Sequence, residues 1–409
     1  MNAIQKYKDR VKQYGRKYVW RMILRNKVLL PLNRCVLTIG IALFKNKDIQ
    51  NKIIIESHND FDCNGGPFYD FLIRNGYNKK YRIVWLLKNK CNRELPENVF
   101  AYKINSPSLK KAYDICTAKV FFADDVVTKK VKEEQINFYL THGSFGLKDA
   151  HGANMAAREN DLLLSPSSNV DSIMAYEWSL PFPCEKLIHL GFPSEDIFYS
   201  EEIPNEFDKL RIDTTQKIIL WMPTFRATND FNRHDSDEVL PYGIPLITSL
   251  EMYKELDQYL KEKGVLLVIK LHPMQNLNLI EELEETDNIK WLDAKSVKER
   301  GMDTFRMMKF SDALLSDYSS VAYSYLHTNN PIGYVLPDME SYKKGVCVDN
   351  IDEYLAGPRI IDFKGLKQFI SDIAESNDTY KEDRKKLFDF IYEHHDGNSS
   401  KRIVEFLKL

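Results

Sequence analysis

The sequence has no Cys-x-x-Cys pair and no group of His and Cys at zinc-ligand spacing. Its six cysteines stand apart at Cys35, Cys63, Cys91, Cys116, Cys184 and Cys347, a usage that fits free thiols in a reducing cytosol. Neither a Gly-x-Gly-x-x-Gly fingerprint nor a Gly-x-x-x-x-Gly-Lys-Ser/Thr loop is present, so dinucleotide oxidoreductases and P-loop enzymes lose support. Gly-x-Ser-x-Gly is missing as well: His142-Gly143-Ser144-Phe145-Gly146 has the serine but not the leading glycine of a nucleophile elbow. There is no internal repeat and no low-complexity stretch. No apolar run reaches the ~20 residues of a membrane span. The best candidate, 28–44, holds 17 residues and is interrupted by Pro31, Asn33 and Arg34. It starts too late for a cleaved signal peptide, and no small-residue cleavage site follows it.

What is present bounds the answer from the other side. Hydrophobic residues make up 44% and aromatics 12%, enough for packed cores, and 409 residues imply two or three domains. The net charge of −2 hides an asymmetry: residues 1–50 carry twelve Lys/Arg against two Asp, a net +10, which leaves −12 on the remainder. A basic leader on an acidic body favours a polyanionic surface. Tyr14, Tyr18, Trp20, Met22, Ile23 and Leu24 alternate with Lys and Arg there, which predicts an interfacial helix on anionic lipid rather than a nucleic-acid arm. The competing reading is a helix packed on the protein's own domain.

From residue 52 onward short apolar runs alternate with helical segments. Expected strands are 52–57, 81–87, 119–123, 137–140, 161–165 and 186–190, then, after a polar linker over 198–215, 217–222, 265–271, 289–292, 313–316 and 332–335. Helices are expected at 249–263 and 321–327, with a helical tail from about 364. Such alternation predicts parallel sheets covered on both faces, and ligands in such sheets bind beyond the carboxyl ends of the strands. The polar clusters fall there. Thr141-His142-Gly143-Ser144, Pro223-Thr224-Phe225-Arg226, His272-Pro273 and Asp317-Tyr318-Ser319-Ser320 each follow an expected strand. The last opens a helix and reads either as an anion site or as plain N-capping by Asp317 or Ser319. Thr224 and Arg226 offer a hydroxyl and a guanidinium fork for phosphate, or a structural salt bridge. His142, in a glycine-flanked loop, suits a general base; His272 suits a phosphate-facing donor or a satisfied structural histidine. Asn64, Gly65 and Gly66 form a glycine-rich turn that would let a ligand approach the backbone. Asp124-Asp125 reads as a solvated loop, not a metal pair.

Taken together, these strings resemble the CDP-glycerol glycerophosphotransferases, the teichoic-acid primases and polymerases, from about residue 53 to the end. His142-Gly143-Ser144 is similar to the family's HGT, Gly191-Phe192-Pro193-Ser194-Glu195-Asp196 to GYPRND, Pro223–Arg226 to PT[FY]R, Leu271-His272-Pro273 to LHP and Leu315–Ser320 to [LI]TDYSS. Gly357-Pro358 is similar to its PGP element, and Asp396-Gly397-Asn398 with Arg402 to its terminal motif. The resemblance implies a GT-B-like α/β fold, with an acceptor-side domain over 51–205 and a CDP-donor domain with a helical tail over 206–409; the basic residues of 1–50, read from their charge and pattern, precede it as a membrane-associating segment. It implies transfer of a polyol phosphate from CDP-glycerol or CDP-ribitol to a lipid-linked or capsular glycan hydroxyl, with release of CMP, at the cytoplasmic face of the membrane in peripheral, monotopic attachment. His142 and His272 would be catalytic. Thr224, Arg226, Asp317, Ser319, Ser320, Gly191 and Pro193 would bind donor, and Asn64, Gly65, Gly66 and Ser144 would face the acceptor. No cofactor, metal or nucleic acid is called for. The alternatives are a GT-B glycosyltransferase using a nucleotide-sugar and a non-catalytic polysaccharide- or nucleotide-binding scaffold.

Overall fold

The computed structural model describes residues 11, 15–125, 127–149, 151–152, 155–212, 215–224, 240–273, 275, 277–280, 282–339, 342 and 345–409. Its strands are β1 (Lys52–Glu56), β2 (Arg82–Leu87), β3 (Val99–Lys103), β4 (Val120–Ala123), β5 (Ile136–Tyr139), β6 (Leu162–Leu164), β7 (Leu187–Ile188), β8 (Lys217–Trp221), β9 (Val265–Lys270), β10 (Ile289–Leu292), β11 (Ala313–Ser316), β12 (Ile332–Val335) and β13 (Arg359–Ile360). Among the described residues they form two sheets, ordered β3-β2-β1-β4-β5-β6-β7 and β10-β9-β8-β11-β12-β13. Their paired registers are parallel. Read by order of appearance, each sheet begins with the 3-2-1-4-5-6 arrangement of a doubly wound Rossmann sheet. Ile53, Ile54 and Ile55 of β1 and Ile218 to Trp221 of β8 are buried, as strands with both faces covered must be.

The chain divides into two compact units, one of residues 1–142 and 159–163, the other of 143–158 and 164–409. In the first, Ile54, Val84, Leu86, Ile115 and Phe121 pack together. In the second, Trp221, Leu256, Leu267, Leu315, Ile360 and Phe369 belong to one large cluster. Two strands escape the apolar pattern. β3 buries only Val99 fully, with Phe100 and Lys103 exposed, and β13 is two residues long. The expected linker is also different: Glu206 and Phe207 within it are fully buried, and Glu206 accepts the Asp303 N–H at 2.8 Å.

The leader departs from expectation more sharply. Pro31, Asn33 and Arg34 do not break it, because a π-helical turn over Arg25–Leu29 joins Arg16–Leu24 to Leu30–Phe44 and Pro31 falls in the first turn of the latter segment. The proline is accommodated because the helix is widened just before it, the Leu30 N–H bonding back five residues to the Arg25 carbonyl, and such a turn makes room for the ring and its missing N–H. The resulting helix, Arg16–Phe44, is long and apolar enough to cross a membrane by length and composition. One face docks on the helix Leu109–Thr117. A Cβ on Gly40 would stand 2.3 Å from the Ala112 Cβ. The buried Lys111 ammonium donates to Asn33 Oδ1 at 2.9 Å and to the Ile104 and Ser106 carbonyls at 2.5 and 2.7 Å. Burial lowers the Lys111 pKa to about 8. The other face leaves Leu24, Val28, Leu32, Ile39 and Leu43 exposed. Replacing Gly40 by Val is expected to separate the two helices, since neither backbone can yield by an ångström. Limited proteolysis should then cut the leader at least tenfold faster than in the parent protein; an unchanged rate would show that Gly40 is not the docking point.

Candidate functional site

The strand order creates a switch point in each sheet, where the chain leaves neighbouring strands in opposite directions and the carboxyl ends open a crevice. In the second unit that point lies between β8 and β11. Thr224 follows β8 and Asp317 follows β11. The buried Asp317 carboxylate accepts the Thr224 N–H at 2.9 Å and the Thr224 hydroxyl at 2.5 Å. The Asp317 carboxylate thus ties the end of β11 to the turn after β8, and its negative charge does not favour a phosphate beside it. Ser320 precedes the short helix Val321–Ser324 and makes no side-chain capping bond. Ser319 and Ser320 are half-buried, and His272 is exposed just beyond β9. Arg226 lies outside the described residues.

The loop after His142 runs directly over this serine pair. A Cβ on Gly143 would meet the Ser320 hydroxyl at 2.8 Å, and one on Gly146 would sit 3.3 Å from the Ser320 nitrogen. Glycine is what lets the backbone come this close. Phe145 anchors the loop edge-to-face on Tyr323, with centroids 4.8 Å apart. Ser144, expected at the acceptor, is buried and joins a polar network that the sequence did not reveal. Glu195 accepts from Ser324 at 2.6 Å and from the Tyr392 hydroxyl at 3.1 Å. Its other oxygen lies 3.1 Å from His327 Nε2. Tyr392 gives its one hydrogen to Glu195, so Ser144 donates to Tyr392 across 2.6 Å. Gly191 and Pro193 belong to the same neighbourhood. Gly191 has φ +77°, and a Cβ there would reach the Ser399 hydroxyl at 2.4 Å. Asp196 accepts the Ser399 and Ser400 N–H groups at 2.9 and 3.0 Å, fixing the start of the terminal helix. The Gly-Phe-Pro-Ser-Glu-Asp string thus fastens the C-terminal helices to the loop that follows His142.

In the first unit the switch point lies between β1 and β4, and His142 follows the next strand, β5. Thr141, just before it, has φ +58°, a conformation that a β-branched side chain rarely adopts. Asn64 holds that turn: its buried amide donates to the Leu140 and Thr141 carbonyls at 3.0 and 2.9 Å. Gly65 and Gly66 are buried, and Gly65 N–H donates to Asp124 Oδ2 at 3.0 Å. Asp124 is not a solvated loop residue. It is fully buried, accepts the His58 N–H at 2.5 Å, and burial pushes its pKa up to about 7. His142 Nδ1 lies 3.2 Å from the Asp124 carbonyl oxygen. A carbonyl only accepts, so that bond puts the proton on Nδ1 and leaves Nε2 as the free lone pair. His142 keeps access to solvent, and its ring stacks on that of His58. Partial desolvation, followed by the charge of neighbouring His58, holds the His142 pKa below the usual histidine value.

Over residues 39–409 the sequence matches the CDP-Glycerol:Poly(glycerophosphate) glycerophosphotransferase family. The chain belongs to this family. It is similar to the teichoic acid poly(glycerol phosphate) polymerase of Bacillus spizizenii, 24% identical over 94% of this chain and 100% of that protein. The teichoic acid glycerol-phosphate primase of Bacillus subtilis is 27% identical over 85% of this chain and 90% of the primase. A teichoic acid poly(ribitol-phosphate) polymerase of Bacillus spizizenii is 24% identical over 93% and 60% of the two chains. In structure, the chain superposes on the wall teichoic acid polymerase TagF with TM-score 0.74 at 18% identity, covering 94% of this chain and 95% of the TagF chain. At that identity the likeness shows the fold: two Rossmann-like α/β sheets of the GT-B kind. As a member of the glycerophosphotransferase family the protein is a transferase, and among the described residues His142 follows β5, Thr224 β8, His272 β9 and Asp317 β11.

Proposed function

We propose that this transferase moves a polyol phosphate, glycerol phosphate in the first instance, from a CDP-activated donor to a glycan hydroxyl in teichoic-acid synthesis, releasing CMP. The observation that carries the reading is His142, its Nδ1 proton directed to the Asp124 carbonyl and its Nε2 free to accept a proton. The acceptor hydroxyl attacks the phosphorus next to the polyol in line with the departing CMP. One P–O bond forms, the P–O bond to CMP breaks, and the hydroxyl proton passes to His142 Nε2. Thr224, Ser319, Ser320, Arg226 and His272 hold the diphosphate and offset the developing charge; such transfers depend mainly on positioning and charge stabilisation. Asp317, Gly191 and Pro193 serve the donor side by fixing the backbone. Asn64, Gly65, Gly66 and Ser144 serve the acceptor side in the same way. The residues 51–205 and 206–409 divide acceptor and donor binding. The exposed apolar ridge of Arg16–Phe44 and its basic residues attach the enzyme to the cytoplasmic face of the membrane, with the docked face holding it in the interface.

The test is nucleotide release by purified protein given CDP-glycerol, CDP-ribitol or UDP-sugars with a membrane extract as acceptor. CMP from CDP-glycerol is expected, at a rate at least tenfold above that from any other donor. UDP from a sugar, with no CMP, would move the protein to the sugar-nucleotide transferases and remove the phosphotransfer step.

A further inference from the structure

His58 stands out among residues to which the reaction has so far assigned nothing. It lies in the loop after β1, and its ring stacks on that of His142 with centroids 5.5 Å apart and planes inclined by 21°. Its Nδ1 is 3.2 Å from Asp125 Oδ2. Lys88, just beyond β2, donates from its ammonium to the same Asp125 oxygen at 2.8 Å and to the His58 carbonyl at 2.7 Å. Three strand ends thus converge to present one imidazole to the face of another. An imidazole whose only ionic partner is a carboxylate gains a proton readily; one pressed against that cation does not. We propose that His58 is a positioning residue, a cation held by Asp125 against the ring face of His142 so that His142 stays neutral and oriented for proton acceptance.

The surroundings agree with this division. Asp125 raises the pKa of His58 and is itself held far below the usual carboxylate range, by His58 and Lys88 together. His142 faces His58, Asp125 and Lys88, and the nearby Asp124 is buried with its pKa raised. Asp62 and Cys63 lie on the loop from β1 beside Asp124, and burial pushes the Cys63 thiol above its ordinary range, so it adds no charge near neutral pH. Glu56, at the end of β1, is likewise raised to about 7 by burial. Asp125, which faces His142, is paired with His58 and Lys88, and burial weakens the charge on Asp124 and Glu56 without removing it at neutral pH. Of the basic groups at this face, His58 and Lys88, it is His58 that stacks on the His142 ring. Two imidazolium ions at this spacing repel, so protonation of His142 is delayed to lower pH and its lone pair persists through neutrality.

This inference rests on His142 as the proton acceptor, and the experiment separates the two. The full-length protein is labelled at histidine and titrated by NMR, and CMP release is measured from pH 5.5 to 8.5, for the parent, His58→Gln, His58→Arg and His142→Ala. His142→Ala identifies the His142 resonance and tests the base. In His58→Gln the His142 resonance should titrate at higher pH. Turnover at pH 6 should fall about tenfold while turnover at pH 8 stays within about twofold. His58→Arg retains the cation and should restore the parent profile. A His142 resonance that titrates at the parent pH in His58→Gln overturns the proposal. So does a loss of turnover equal at all pH values that arginine does not rescue. An active His142→Ala would sink the base assignment alone, leaving the NMR titration to decide what His58 does.

Discussion

Replacing His142 by alanine is expected to lower turnover by about 10²–10⁴-fold, the usual worth of a positioned general base, while the CDP-donor dissociation constant changes less than threefold. The expectation follows from the geometry of one turn. Thr141 is held at φ +58° by the Asn64 amide, so the side chain of the next residue is aimed by backbone rather than by its own rotamer. The Asp124 carbonyl accepts the Nδ1–H hydrogen bond, and the substitution alters none of the β8–β11 residues proposed to hold the donor. The pH dependence has a definite sign. The His142 pKa is depressed, so the neutral, proton-accepting form already dominates near pH 7. Turnover should be flat across neutrality and fall only as acid protonates the ring. His142→Gln should be as inactive as alanine, since an amide keeps the shape without a basic lone pair. Near-normal turnover in either variant, with CMP still formed, would remove the base and require the acceptor to lose its proton elsewhere.

The order of elements was largely legible because parallel strands buried on both faces leave unbroken apolar runs: Ile53–Ile55, Ile83–Leu87 and Val265–Ile269 announce themselves. β3 and β13 do not, because an edge position asks only for backbone partners, and Val99–Lys103 leaves Phe100 and Lys103 exposed. The leader was misjudged because Pro31 was weighed as a breaker without its place in the helix; a proline in the first turn of a segment after a π-turn interrupts nothing. At the site, sequence located the strand ends but not the bonds across them. Asp317 looked like a helix cap because Ser319 and Ser320 follow it. Its carboxylate instead reaches a residue 93 positions earlier, which only the β8–β11 pairing brings near. Glu195 carried no signal beyond a motif match and His327 none, since a buried contact between residues 132 positions apart has no spacing to read. His58 was passed over for the same reason: its meaning comes from Asp125 and His142, which reach it only through the β1–β4–β5 order. Two adjacent acids read as one solvated pair, Asp124 and Asp125, are a buried carboxyl bonded to the His58 and Gly65 N–H groups and a carboxylate paired with Lys88 and His58.

Asp317→Asn should reduce kcat/KM for the CDP donor by about 10²-fold, with most of the loss in KM. The carboxylate accepts twice from Thr224, and both donors belong to the first residue of the turn that leaves β8. An asparagine fills the same volume, but it presents an N–H₂ to one of those two donors. One bond is then lost and one buried N–H or O–H group faces another donor, at a cost of about 1–3 kcal/mol. The exchange lies at the strand ends and leaves the apolar core of the sheet unchanged. The loss should appear as a poorly formed donor site and only a small drop in Tm. The partner substitutions separate this from direct donor contact. Thr224→Ser keeps both donors and should remain within about threefold of the parent. Thr224→Val loses only the hydroxyl and should cost about tenfold. If Asp317 touched the diphosphate instead, removal of its negative charge would strengthen donor binding. A lower donor KM in Asp317→Asn would therefore overturn the lock. The ranking parent, serine, valine, asparagine, read in donor KM with acceptor KM unchanged, is the signature of a carboxylate whose task is to hold the β8 turn in place.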